Sequence, residues 1–80
     1  MLDIFAEPNF AGRSDETDED QPGLGDWQNA ISSLEVKAGT WDFFTEPDFK
    51  GEVMRLAPGK YGTLAETFSK HIGSFLCNDR

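Results

Sequence analysis

A single cysteine, Cys77, stands in a chain of 80 residues. No disulfide can close within the chain, so cross-links of that kind do not hold the fold. With no Cys or His cluster around it, Cys77 reads as a buried or incidental thiol. Basic residues are scarce: seven Lys and Arg face 15 Asp and Glu, for a net charge of −8. Phosphate backbones and anionic membranes are bound through clustered Lys and Arg, so neither nucleic acid nor a membrane is an expected partner. No apolar run approaches the ~20 residues of a membrane-spanning helix. No basic-then-apolar leader is read at the start. The one histidine, His71, lacks the companions of a zinc site and is expected to be structural. Catalysis also lacks its parts. A nucleophile or base needs a partner and an orienting group, and His71 near Ser69 and Ser74 is no more than chance supplies. The chain is read as non-enzymatic, and nothing in it assigns a compartment.

Apolar residues make up only 38% of the chain. A domain of this length buries about 60–65% of its unfolded surface, so its stability margin is thin. A bound metal ion would help. It would also relieve part of the self-repulsion of an acidic chain.

What the sequence does contain is one unit written twice. Phe5-Ala6-Glu7-Pro8-Asn9-Phe10-Ala11-Gly12 returns 39 residues later as Phe44-Thr45-Glu46-Pro47-Asp48-Phe49-Lys50-Gly51. Phe, Glu, Pro, Phe and Gly are shared. Such a repeat predicts two similar halves related by approximate two-fold symmetry, each too small to bury a hydrophobic face alone. The two aromatics of each unit can stack across a folded hairpin. The closing Gly permits a backbone conformation, or a close approach, denied to residues with a Cβ.

Strand signals surround these units. Met1 to Phe5 suits an opening strand, and Ile31 to Val36 alternates apolar and polar at period two. Thr40 to Phe44 is aromatic and β-favouring, Glu52 to Leu56 is a further strand, and Ile72 to Cys77 closes the chain. Ser14 to Asp26 is acidic and turn-rich, a solvent loop with strand bonding only near its start, around Arg13 to Thr17. Ala57 to Gly62 reads as a turn, and Leu64 to Phe68 as one helical turn. Trp27, Trp41 and the seven Phe are expected in the core. About eight short strands with turns between them predict an all-β sandwich of Greek keys. One domain, 1–80, would comprise a first key of about 1–38 and a second of about 39–80.

At these residues the chain resembles the βγ-crystallin superfamily, and its microbial single-domain members in particular. The loop Gln21-Pro22-Gly23, the segment Val36 to Trp41 and the segment Leu56 to Tyr61 add to the resemblance. A tyrosine at the place of Tyr61 commonly forms a corner between strands in that family. Many members bind calcium through two copies of a six-residue motif. The motif runs Asn or Asp twice, two variable residues, Ser or Thr, then Ser. Each site takes the hydroxyl of the fifth residue and a carbonyl of the same motif, with further ligands from the opposite key's hairpin. Calcium wants six to eight oxygens and suits such a mixture.

The first motif here is Gln28-Asn29-Ala30-Ile31-Ser32-Ser33, which departs only at Gln28. The second is Ser69-Lys70-His71-Ile72-Gly73-Ser74, in which Gly73 lacks the hydroxyl and Lys70 brings an ammonium. The resemblance therefore implies one competent calcium site, with Ser32, the Ala30 carbonyl, Gln28, Asn29 and hairpin Glu46. A degraded one would join Ser69, His71 and Gly73 to hairpin Glu7. The acidic run Asp15 to Asp20 lacks the oxygen spacing, central Gly and final Glu of an EF-hand loop, so it reads as a solvated loop. The implied protein is a monomer that binds calcium. The alternative is a calcium-independent structural, protein-binding or inhibitory module on the same scaffold.

Overall fold

A computed structural model describes residues 1–78; the last two residues of the expected domain, 79 and 80, lie outside the described residues. The chain forms strands β1 (Leu2–Glu7), β2 (Ala11–Thr17), β3 (Ser33–Val36), β4 (Trp41–Glu46), β5 (Lys50–Leu56), β6 (Gly59–Tyr61) and β7 (Ser74–Cys77). They build two antiparallel sheets, ordered β2-β1-β3-β6 and β5-β4-β7. There is no α-helix among the described residues. The fold is the all-β pair of Greek keys that the repeat predicts.

Each half lends a segment to the other's sheet. β6 comes from the second half and pairs with β3 of the first, Leu34 opposite Tyr61. In return Gln21 of the first half bridges Phe75 of β7, with backbone bonds of 2.8 and 3.1 Å. The described residues thus hold seven strands and this one bridge, against about eight strands expected. Pro22, directly after Gln21, has no N–H to continue the ladder.

Alternation places the core between the sheets. Leu2 and Ile4 of β1 and Trp41 and Phe43 of β4 point inward and are buried. Phe75 packs edge-to-face with Trp41 and tilted against Phe43, with ring centroids 5.8 Å away in each case. Not all aromatics join them. Phe5 and Phe10, and Phe44 and Phe49, pair off outside this buried cluster on the two hairpins. Trp27 is half-buried at the core's rim, its ring capped by the Arg13 guanidinium at 4.2 Å.

Several segments differ from expectation. The turn at Ala57 to Gly62 contains β6, and the Tyr61 hydroxyl donates to the Ala57 carbonyl at 2.7 Å, making the corner. β3 and β7 begin at Ser33 and Ser74, because the residues before them belong to the six-residue motifs. The acidic run keeps the strand bonding expected around Arg13 to Thr17, but the loop after it is tied down. Asp15 and Glu16 lie on β2, Asp18 takes the N-terminal ammonium at 2.8 Å, and Asp20 accepts the Cys77 N–H at 2.8 Å. Near Leu64 to Phe68 a single turn closes where the Ala65 carbonyl accepts from both Phe68 and Ser69.

Candidate metal centre

The site starts from two hairpins whose backbones run against preference. Asn9 and Phe10 have φ of 59° and 63°; Asp48 and Phe49 both have 60°. Asn and Asp tolerate this left-handed region, but a phenylalanine there is strained. Two contacts hold each phenylalanine. Its ring packs edge-on against the earlier aromatic, at 5.5 Å for Phe5–Phe10 and 5.8 Å for Phe44–Phe49. Its N–H donates to a buried serine, Phe10 to Ser33 Oγ and Phe49 to Ser74 Oγ, both at 3.0 Å. Each serine donates in turn across the hairpin, Ser33 to the Glu7 carbonyl at 2.7 Å and Ser74 to the Glu46 carbonyl at 2.6 Å. The glycines are needed as well. Gly12 and Gly51 have φ of 76° and 85°, and a Cβ on Gly12 would come 2.7 Å from Glu7 Cγ.

The hairpin tips and the six-residue motifs then knit the two keys together. Asn9 N–H donates to the Gly62 carbonyl and Asp48 N–H to the Pro22 carbonyl, both at 2.8 Å. Asn29 N–H donates to the Ile72 carbonyl at 3.1 Å, and Lys70 N–H to the Ile31 carbonyl at 2.8 Å. Asn29 and Lys70 hold the same place in the two motifs and share a φ of 59°.

One residue breaks this regularity. Ser32 is 1% exposed, and its Oγ has no hydrogen-bond partner. An unsatisfied buried hydroxyl calls for a water or an ion. The other such oxygen among the described residues belongs to Asp3, whose second oxygen is paired with Lys37 at 3.1 Å. At the matching place Gly73 is buried, and hairpin backbone fills the space. A Cβ there would lie 2.8 Å from the Glu46 carbonyl carbon.

The hairpin beside each fifth residue is its own key's, whereas the resemblance implies ligands from the opposite key's hairpin. Ser32 N–H donates to the Phe5 carbonyl at 2.9 Å, and the adjoining Ser33 grips Glu7. Gly73 N–H donates to the Phe44 carbonyl at 2.8 Å and lies on Glu46. Each fifth residue therefore sits beside its own key's hairpin: Ser32 with Glu7, Gly73 with Glu46. The cause is pairing, since β3 neighbours β1 and β7 neighbours β4. The second motif reaches the first hairpin through Lys70, whose Nζ donates to the Ala6 carbonyl at 3.3 Å.

The remaining candidates lie around these loops. Glu7, Glu46, Gln28, Asn29 and His71 are exposed; Ala30 and Ser69 are half-buried. Ala30 N–H donates to the Trp27 carbonyl and His71 N–H to the Phe68 carbonyl, each at 3.0 Å. Among the described residues no group of three or more His, Cys, Asp and Glu is placed to hold a metal. A cation here would rest on hydroxyl and carbonyl oxygens with one carboxylate. Sequence reasoning saw Ser33 and Ser74 only as motif positions, and missed that they lock the hairpins. Their fixed place after each fifth residue was the available signal.

Two crossed Greek keys with paired aromatic hairpins and serine locks define a class of small double-key β-domains. The family profile described as Beta/Gamma crystallin matches residues 1–77. The chain belongs to the βγ-crystallin family, whose domains are non-enzymatic structural and binding units. It is 38% identical over 79 residues to human beta/gamma crystallin domain-containing protein 1, covering 91% of this chain and 4% of that protein. Among solved structures it is similar to an archaeal βγ-crystallin, with a TM-score of 0.86 and 32% identity over 95% of this chain and 94% of that one. A βγ-crystallin from Ciona intestinalis has a TM-score of 0.91 at 25% identity, covering 96% and 98% of the two chains. The chain thus spans a small part of the human relative and nearly all of these two solved chains.

Proposed function

We propose that this domain binds calcium at one principal site, where the ion ties the two Greek keys together. The observation that carries the reading is the buried, unpartnered hydroxyl of Ser32. Glu7, on the neighbouring hairpin, is the carboxylate best situated to help, and main-chain carbonyls of the second key's motif, which is held to Ile31 through the Lys70 N–H, would complete a hard-oxygen set and bring in the other key. Glu46, with Gln28, Asn29 and the Ala30 carbonyl, is left for a weaker second position, because Gly73 supplies no hydroxyl there. Similarity in length and shape to the archaeal protein supports a place among the microbial single-domain members. The keys are taken as about 1–38 and 39–80 of one monomeric domain.

Thermal melts in excess calcium and in chelator test the reading. A ligand at ~100 times its dissociation constant that binds only the native state adds about 2.7 kcal/mol. For a domain of this size that raises Tm by roughly 10–20 °C. Ser32→Ala should abolish most of the rise. It should leave the calcium-free melt unchanged or slightly higher, because it removes an unsatisfied buried group. Coincident wild-type melts would reject the site.

A second reading has its own support. Lys70 Nζ already engages the first hairpin, and hairpin backbone crowds Gly73. A calcium-independent structural or protein-binding module would keep both features.

A further inference from the structure

We infer that Lys70 is a tethered cation that competes with the metal at the Ser32 clamp; the inference rests on the calcium reading above. Lys70 belongs to the second key, yet its ammonium donates 3.3 Å to the Ala6 carbonyl of the first hairpin. That carbonyl adjoins Glu7, whose own carbonyl is gripped by Ser33, next to the unpartnered Ser32 hydroxyl. The backbone fixes this reach. Lys70 N–H is held by the Ile31 carbonyl at 2.8 Å, one residue before Ser32, so the side chain starts beside the clamp.

The same place in the first motif is Asn29, with the same φ of 59°. Two differences between the clamps arise from the second motif. Gly73 removes a hydroxyl from the Glu46 clamp, while Lys70 brings a positive charge to the Glu7 clamp. An ammonium and a divalent ion repel strongly when they share one set of oxygens. Calcium must move Lys70 off the Ala6 carbonyl to enter. Lys70 is exposed, so the displaced ammonium can move into water.

The test compares calcium affinity by calorimetry in the wild type, Lys70→Asn and Lys70→Met. Asn suits a left-handed backbone and copies Asn29, so that variant is expected to fold. Met removes the charge while keeping an unbranched chain of similar length. It separates loss of repulsion from gain of an amide ligand. Both variants should bind about tenfold more tightly, and calcium-free melts check that each is folded. In the wild type, the NMR signal of the Lys70 side-chain amine should shift on calcium addition. In Ser32→Ala that shift should be lost. Binding in the variants alone would support the competition and show that the wild-type site is blocked. A gain under threefold in either folded variant would overturn the competition and leave the calcium reading standing. No binding by any of the three would overturn both.

Discussion

Ser33 Oγ lies 2.7 Å from the Glu7 carbonyl and 3.0 Å from Phe10 N; Ser74 Oγ lies 2.6 Å from the Glu46 carbonyl and 3.0 Å from Phe49 N. One residue earlier the two keys diverge. Ser32 keeps a buried hydroxyl with no partner, while hairpin backbone crowds Gly73. The locks are alike because each hairpin has the same strained Phe to hold. The clamps are free to differ because the fold does not need a hydroxyl at the fifth position. Structural demands thus fall on the sixth residue of each motif, while the fifth is left free to vary.

The strongest way to break this comparison is to make the clamps alike. Gly73→Ser restores the missing hydroxyl but places a Cβ 2.8 Å from the Glu46 carbonyl carbon. The obstacle is backbone and not a flexible side chain, so the hairpin itself must shift. The expected cost is about 3 kcal/mol, at the upper end for overpacking. Gly73 is not among the residues with positive φ, so steric crowding and not backbone angle sets the cost. A variant melting within a few degrees of the wild type would show that the second hairpin yields easily. The symmetric restoration of a second site would then become feasible.

The next test asks whether the locks are as equal as their distances. Ser33→Ala and Ser74→Ala each leave a hairpin carbonyl and a Phe N–H without the serine. Each should cost about 2 kcal/mol, from unsatisfied buried groups and the loss of a restraint on strained backbone. Urea unfolding of the two variants, with equal slopes, should give closely matched losses. A loss confined to one variant would show that one hairpin is held mainly by something else, such as its tip bond to the other key.

The smallest effect concerns a charged pair that also repeats. Asp3 and Asp42 occupy matching places on β1 and β4. Lys37 meets Asp3 with one bond at 3.1 Å, whereas Arg55 meets Asp42 with two, at 2.9 and 3.3 Å. The Arg55 guanidinium holds the Asp42 carboxyl below its ordinary value, with help from Asn78, against the opposing effect of burial. A depressed carboxylate stabilises the fold above the unfolded-state value near pH 4, and that contribution fades as pH falls through the lower folded-state value. The Tm gap between wild type and Asp42→Asn should therefore be open at neutral pH and close in acid. Arg55 is largely exposed, so the gap should be smaller than either effect above. A gap that persists unchanged into strong acid would assign Asp42 a role other than charge pairing.

Much of this was legible in the chain itself. The repeated Phe, Glu, Pro, Phe and Gly pattern gave the hairpins, their stacked rings and the two-key architecture, because turn chemistry and aromatic pairing act over a few residues. The one-residue departures at Gly73 and Lys70 were also visible. Less legible was the role of Asp18 and Asp20 in an acidic run. Their partners, the N-terminal ammonium and the Cys77 N–H, are distant in sequence.

The sequence by itself determined the class of fold, the two hairpins and the oxygen-bearing motifs, since alternation and turn preferences are local. Tertiary structure alone decided which hairpin each motif serves. Strand pairing, β3 on β1 and β7 on β4, seats Ser32 beside Glu7 and Gly73 beside Glu46. It also carries the Lys70 ammonium across to the first key. Those neighbours depend on contacts between residues far apart in the chain, and no local pattern records them.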